Sequence, residues 1–142
     1  MTTRKFTVNH EPIGQPRHRV TTRGGYAQQY LPKSHPVHGF KTAIRLAFGR
    51  RAPVNGPIGI MITAFFPRPK SKIWKRREME RYAHTSKPDI DNVVKSVLDA
   101  LNGWAWRDDA QIFSVIASKW VCSGDESPRV VVDITVAKKG EA

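Results

Sequence analysis

Five of the twelve acidic residues of this chain lie between Asp89 and Asp109, although the protein as a whole is strongly basic. Asp89 and Asp91 are two residues apart, and in an extended segment such residues point to the same face. We expect this arrangement provided that the following helix begins at or after Asp91. Lys95 lies one helical turn further on and can reach the same place. Asp108 and Asp109 precede a predicted strand, and the turn before that strand can return them towards the first pair.

These residue types suit the hydrolysis of a phosphodiester. Carboxylate oxygens are the ligands that Mg²⁺ prefers, and the ion commonly retains several waters. Two or three aspartates are enough to hold one or two ions, and a bound metal can generate a hydroxide and polarise the phosphoryl oxygen. A nearby lysine can neutralise charge on the phosphate or help to activate the water. These residues are therefore candidates for a Mg²⁺ site, in which Mn²⁺ is expected to substitute.

Each of these residues also has an ordinary structural explanation. Asp89 and Asp91 can cap the following helix. Asp91 and Lys95 can form an ion pair across one helical turn, and Asp108 and Asp109 can lie in a solvated turn. The spacing by itself leaves both interpretations open.

The charge of the chain indicates its partners. The net charge is +12 at neutral pH, and before Glu78 sixteen Lys and Arg residues stand against a single acid, Glu11. A balance of this kind favours phosphate polymers or an anionic membrane surface. The sequence has no long basic amphipathic helix and no apolar run of membrane-spanning length. We therefore expect nucleic acid as the partner and no membrane association.

Two groups of basic residues are candidates for contact with DNA. The first surrounds Trp74 and comprises Lys70, Lys72, Lys75, Arg76 and Arg77. The second comprises Arg17, Arg19, Arg23 and Lys33. We expect phosphate contacts from the basic residues, whereas Trp74 can either stack on an unpaired base or fold back onto the core. Trp104 and Trp106 are predicted to be packing residues.

The pattern of apolar residues and turn residues predicts one domain over residues 1–142, of mixed α+β class, with a mixed sheet packed against two main helices. Strands are predicted at 5–10, 57–66, 112–121 and 130–136, a hairpin pairs 17–20 with 26–31, and helices cover 34–48 and 92–102. A short helix is also predicted within residues 74–82. Cys122 is the only cysteine, which predicts a core position and a reducing, cytoplasmic location. The scattered histidines, including His35 and His38, predict no zinc site.

Residues 88–103 and 108–112 together resemble the RusA family of Holliday-junction resolvases, whose pattern is D-x-D-N-x-x-K, then D-A-L, then D-D-x-Q. The resemblance implies a Mg²⁺-dependent, homodimeric endonuclease that resolves branched DNA in recombination and repair. It assigns metal binding and catalysis to Asp89, Asp91 and Asp109, a catalytic role to Lys95, and supporting positions to Asn92, Asp99, Asp108 and Gln111. The longer basic insert at residues 67–77 is more similar to the phage and Gram-positive branch of the family.

Two other functions fit the same sequence. A metal-dependent nuclease for flaps or other branched DNA would have an indistinguishable site, so only cleavage assays on matched substrates separate it from a junction resolvase. A non-catalytic nucleic-acid-binding protein with a helix-capping acid cluster would show no metal-dependent strand cleavage.

Overall fold

A five-stranded mixed sheet organises the fold, in the order β1-β7-β4-β6-β5. The computed structural model describes residues 3–16 and 19–140. The strands of this sheet are β1 (Thr3–Val8), β4 (Ile58–Phe66), β5 (Tyr82–Ala83), β6 (Ile112–Val121) and β7 (Arg129–Val136). The pairing of β4 with β6 is parallel, and the other pairs are antiparallel. The predicted α+β class is thus confirmed.

A separate two-stranded sheet contains β2 (Arg19–Thr21) and β3 (Gln28–Tyr30), which pair antiparallel across the glycine-containing turn. The predicted hairpin is confirmed over these residues. Positions 17 and 18, which were also assigned to it, lie outside the described residues.

Both helices, α1 (Val37–Phe48) and α2 (Ile90–Leu101), pack on one face of the large sheet. Alternate residues of β4 supply the sheet side of the core, because successive strand residues point to opposite faces. The core combines Ile58, Ile60 and Ile62 of β4 with Phe40, Ile44 and Phe48 of α1 and with Val93, Val97 and Leu101 of α2. The opposite face of the sheet exposes Met61 and Ile116. Within the described residues, no helix is both long and apolar enough to cross a membrane.

The helix predicted within residues 74–82 is wrong. Residues 74–81 are irregular chain between a 3-10 turn, Lys70–Lys72, and the two-residue strand β5, which begins at Tyr82. Arg68 organises the segment by donating hydrogen bonds to the carbonyl oxygens of Glu80, at 2.7 Å, and Cys122, at 3.2 Å. These side-chain bonds to carbonyls, together with the lack of an apolar face at helical spacing, favour a compact loop over a helix.

An ion-pair cluster attaches this loop to the turn between β6 and β7. Glu126 accepts hydrogen bonds from Arg81, in the loop, and from Arg129, at the start of β7. The bond from Arg81, supported by Arg129, holds the pKa of Glu126 well below its usual range. Both guanidinium groups also lie over the ring of Phe65. Residues 67–81, which we call the basic loop, are therefore held in place on the sheet.

The N-terminal strap, residues 11–16, fixes the first turn of α2. Ser96 Oγ donates to the carbonyl oxygen of Ile13 at 2.7 Å, and the backbone amide of Gln15 donates to the carbonyl oxygen of Asn92 at 2.9 Å. A Cβ atom at Gly14 would lie 2.6 Å from Cβ of Pro88, inside the closest normal contact. Position 14 is therefore glycine because the strap and the start of α2 approach so closely.

This close approach predicts that Gly14→Ala destabilises the protein by about 1–3 kcal/mol, the usual cost of overpacking a rigid contact. Gly39→Ala in α1 is the matched control. Its Cβ would meet no atom closer than 3.9 Å, and alanine favours a helix by up to about 1 kcal/mol over glycine. Urea denaturation measures both variants, and equal midpoints for the two would contradict the predicted contact.

Candidate active site

An open groove between α2 and β6 collects most of the predicted site residues. Its volume is about 540 Å³. The acidic groove, as we call it, is lined by Ile90, Asp91, Val94, Lys95, Leu98, Asp99, Asp109, Val115 and Ala117. Asp91, Lys95 and Asp99 follow one another at four-residue spacing and so share one side of α2. The apolar side of the same helix is buried in the core, which directs these charged side chains outwards.

The turn that precedes β6 brings Asp109 into the groove. Asp108 caps this turn, because its carboxylate accepts a hydrogen bond from the amide of Ala110 at 2.9 Å. Gln111 completes the cap: its Oε1 accepts from the amides of Arg107 and Asp108, and its Nε2 donates to two carbonyl oxygens of residues 54–56. In the D-D-x-Q motif, Asp108 and Gln111 thus hold the backbone and leave Asp109 facing the groove.

The buried indole of Trp106 fixes one oxygen of the Asp109 carboxylate. Trp106 is fully buried and its Nε1–H donates to Oδ1 of Asp109 at 2.7 Å. The prediction that Trp106 packs in the core is confirmed, but its role in orienting Asp109 was not foreseen. The relevant signal was its position three residues before Asp109. Trp104, in contrast, is 39% exposed and donates to the carbonyl oxygen of Gly49.

Asp89 lies outside the lining of the acidic groove. α2 begins at Ile90, so Asp91 is already helical while Asp89 remains extended, and the expectation that the two acids share one extended face is wrong. Asp89 occupies the N-cap position, yet its side chain makes no capping hydrogen bond. Its carboxylate instead pairs with Nζ of Lys87 at 3.0 Å, and both side chains are largely exposed.

Lys95 makes no ion pair with any carboxylate of the described residues, so the ordinary pairing with Asp91 is not observed. The neighbouring Asp99 pairs instead with Lys41 of α1, whose Nζ lies 3.9 Å away. Burial lowers the pKa of Lys41, and the nearby charges of Arg45 and Lys95 act in the same direction, whereas Asp99 opposes them. The sequence analysis assigned no function to Lys41. Its spacing of four residues from Arg45, off the apolar face of α1, was the available signal.

The donor set of the acidic groove fits a hard divalent cation. Asp91 and Asp109 offer carboxylate oxygens to the same space, and Mg²⁺ characteristically binds one or two carboxylates and completes its shell with water and substrate phosphate. Among the described residues, no three acidic, histidine or cysteine side chains converge as a closed metal cage. His35 and His38 make local hydrogen bonds to the backbone near the start of α1.

The first basic group is exposed around a structured loop. The group comprises Lys70, Lys72, Lys75, Arg76 and Arg77, and all five residues are exposed. The guanidinium groups of Arg68 and Arg77 lie over the ring of Trp74, 5.0 and 3.9 Å from its centre, and so cover ring surface that a stacked base would need. In the second group, Arg23 and Lys33 are exposed. Arg17 and the side chain of Arg19 lie outside the described part of the chain.

Comparisons with known proteins identify the family of the chain. The family model "Endodeoxyribonuclease RusA" matches residues 9–135, which is nearly the whole chain. The chain is also 34% identical over 138 residues to YqaN of Bacillus subtilis (strain 168), whose description is "Uncharacterized protein"; the match covers 92% of this chain and 94% of that relative. The matched region contains the strap, both helices and every acid of the groove. The chain therefore belongs to the RusA endodeoxyribonuclease family.

Proposed function

We propose that this protein is a Mg²⁺-dependent endonuclease that resolves four-way DNA junctions by paired nicks, and that it acts in DNA recombination and repair. The observation that carries this proposal is that Asp91 and Asp109, from separate elements, line one groove together with Lys95, which pairs with no carboxylate of the described residues. Family membership supplies the reaction class, cleavage of DNA.

Asp91, Asp109 and Asp89 are the residues we expect to hold the metal. When bound, Mg²⁺ supplies Lewis-acid stabilisation of the phosphoryl oxygens and a water of lowered pKa. Asp89 reaches the metal only by leaving Lys87. Exposed ion pairs of this kind contribute about 0–1 kcal/mol, so the exchange costs little.

The other side chains in and beside the groove have separate roles in binding the phosphate and orienting the acids. Lys95 has no carboxylate partner among the described residues and is free to contact the phosphate that is cut. Asp99 is neutralised by Lys41 and therefore competes little for Lys95. Trp106 removes rotational freedom from the Asp109 carboxylate before substrate binds, and such preorganisation favours the transition state.

Single substitutions of the acids test the site. Asp89→Asn, Asp91→Asn and Asp109→Asn should each slow cleavage of a synthetic immobile junction by about 100-fold or more, because the site loses a charged ligand. Junction binding should hold or tighten, since one negative charge near the phosphates has gone. Lys95→Ala should also lose about 100- to 1000-fold, whereas Asp99→Asn should be milder. Cleavage should require Mg²⁺ or Mn²⁺ and stop in EDTA.

Asp125→Asn, in the exposed turn between β6 and β7, is the matched control and should cut normally. Thermal melting verifies that each variant folds. If Asp91→Asn cuts at the wild-type rate, the proposed site is wrong. If the protein cleaves flaps in preference to junctions, the proposed substrate is wrong but the proposed site is retained. If it binds DNA but shows no metal-dependent cleavage, it is a nucleic-acid-binding protein and not a nuclease.

The exposed basic residues of the loop are proposed to contact DNA phosphates. Replacing Lys70, Lys72, Lys75 and Arg76 together with glutamine should weaken junction binding and reduce the slope of log K against log salt by roughly 0.9 for each lost phosphate contact. Arg77 is retained because it packs on Trp74. Neutralising Arg50, Arg51, Lys138 and Lys139 makes the same change in net charge. An equal effect from this control set would show that overall charge, and not the loop, determines binding.

The outer edge of β6 is the surface we propose for a homodimer. β6 pairs with β4 along its length but with β5 only at Trp120 and Val121, so residues 112–118 have no strand partner on that side within the described chain. This edge also exposes Phe113 and Ile116, at 63% and 59%. Free apolar edges invite pairing with a second strand. A two-fold dimer would present two sites to the two opposed strands of a junction.

Phe113→Lys combined with Ile116→Lys should convert a dimer into a monomer in analytical ultracentrifugation, because like charges would meet across the two-fold axis. Leu46→Lys, which removes an apolar side chain of α1 that is 74% exposed, should leave the dimer intact. Retention of twice the chain mass by the Phe113 and Ile116 double variant would exclude this edge as the interface.

A further inference from the structure

A second cleft, the strap cleft, lies beside the first turn of α2. It is an open cleft between the N-terminal strap and residues 66–67, 84 and 87–88, with His35 also in its lining, and its volume is about 580 Å³, within the usual range of ligand-binding sites. Asn92 lines this cleft, while the adjacent Asp91 lines the acidic groove. A strand whose phosphate occupies the groove would therefore have its neighbouring nucleotide at the mouth of the strap cleft.

The walls of the strap cleft are apolar and aromatic. The His84 ring stacks on Phe66, with ring centres 4.0 Å apart and planes inclined by 18°. Burial and the nearby charge of Lys119 lower the pKa of His84, so the ring is a neutral aromatic at pH 7. Proline and isoleucine side chains add further apolar surface to the lining, from Pro12, Ile13, Pro16, Pro67 and Pro88. Flat apolar walls of this kind suit a planar heterocycle.

Two polar side chains of the cleft lack partners. Gln15 is only 9% exposed, and its Oε1 has no hydrogen-bond partner among the described residues; the same holds for Nδ1 of His84. Leaving a buried polar group unsatisfied is unfavourable, so such groups commonly mark a site that a ligand or water completes. A small rotation of the Gln15 amide would present a donor or an acceptor to a ligand in the cleft.

The charges around the cleft distinguish a base from a phosphate. Lys87 and Glu11 both line the cleft, and its other polar side chains are the amides of Gln15 and Asn92 and the imidazoles of His35 and His84. An anion would meet Glu11 and find no guanidinium inside. A nucleobase, in contrast, offers an apolar face to the aromatic platform and donors and acceptors at its edge.

We propose that the strap cleft binds one unpaired nucleobase of the cleaved strand, next to the phosphate in the acidic groove. This proposal rests on the proposed function, because it requires a branched substrate, in which extruding a base near the branch costs less than in a continuous duplex. It also assigns the base-stacking role to His84, since Arg68 and Arg77 cover Trp74.

Abasic scanning of a four-way junction tests the proposal. Binding is measured in EDTA, which keeps the DNA intact, for junctions that lack one base at successive positions around the cut site. Removing the captured base should weaken binding to the wild-type protein by about tenfold, the usual scale for one stacked base. The same removal should have no effect on His84→Ala or on Gln15→Leu, because each variant has already lost contacts to that base.

His38→Ala is the matched control, since this histidine is exposed on α1, and it should keep the wild-type pattern. Gln15→Leu conserves volume and keeps the test available if His84→Ala does not fold. If no position matters to the wild type, or if the tenfold loss persists in a folded variant, the strap cleft is not a base site. A separate cleavage assay with Mg²⁺ reports on the proposed function. If the protein cuts junctions normally but the effect of base removal does not depend on His84 or Gln15, only the base-site proposal is wrong. If that dependence is found but the protein does not cut, only the proposed nuclease activity is wrong.

Discussion

The packing of α2 against the sheet is the interaction on which the candidate site depends. Burial of Val93, Val97 and Leu101 fixes the rotation of the helix about its own axis. Asp91 and Lys95 then have one direction left to them, towards β6, and Asp109 arrives there because β6 runs parallel to the central strand β4. A rotation of α2 by one residue would bury an acid and expose a core valine, so the stability of the core and the position of the site are set by the same contacts.

In the short D-D-x-Q segment, some residues close the turn and another faces the groove. Asp108 and Gln111 use their polar atoms to close the turn, and Gln111 also joins that turn to residues 54–56. Asp109 receives only the indole N–H of Trp106, which restrains one carboxylate oxygen and leaves the other without a partner among the described residues. The interpretation of a solvated turn is therefore correct for Asp108, which is exposed, whereas Asp89, for which helix capping was the ordinary explanation, makes no capping bond at the N-cap of α2.

Positive charge surrounds the acids in a graded way. Lys41 lies half-buried against Asp99, and Lys87 pairs with Asp89 at the surface. Between them, Lys95 lines the groove and forms no ion pair with a carboxylate of the described residues. Farther out, the basic loop is held on the sheet through Arg68 and through Arg81 with Glu126. A protein of this charge attracts DNA over a distance, and a fixed loop can offer its exposed cations without the entropic cost of ordering a free chain.

The sequence by itself determined most of the elements, because apolar periodicity is a local property, and its resemblance to the RusA family indicated the reaction class. It predicted strand 112–121 with the bounds that the structure has, and it placed α2 within two residues of its start. It was wrong about residues 74–82, where Arg68 reaches distant carbonyls that no local pattern announces. It also placed Asp89 and Asp91 on one extended face. That prediction is wrong because α2 begins at Ile90, one residue earlier than a shared face requires. Only the tertiary structure decided that Trp106 orients Asp109, that Lys41 neutralises Asp99, and that the strap borders a second cleft beside α2, since each of these contacts joins residues whose approach depends on how the elements pack.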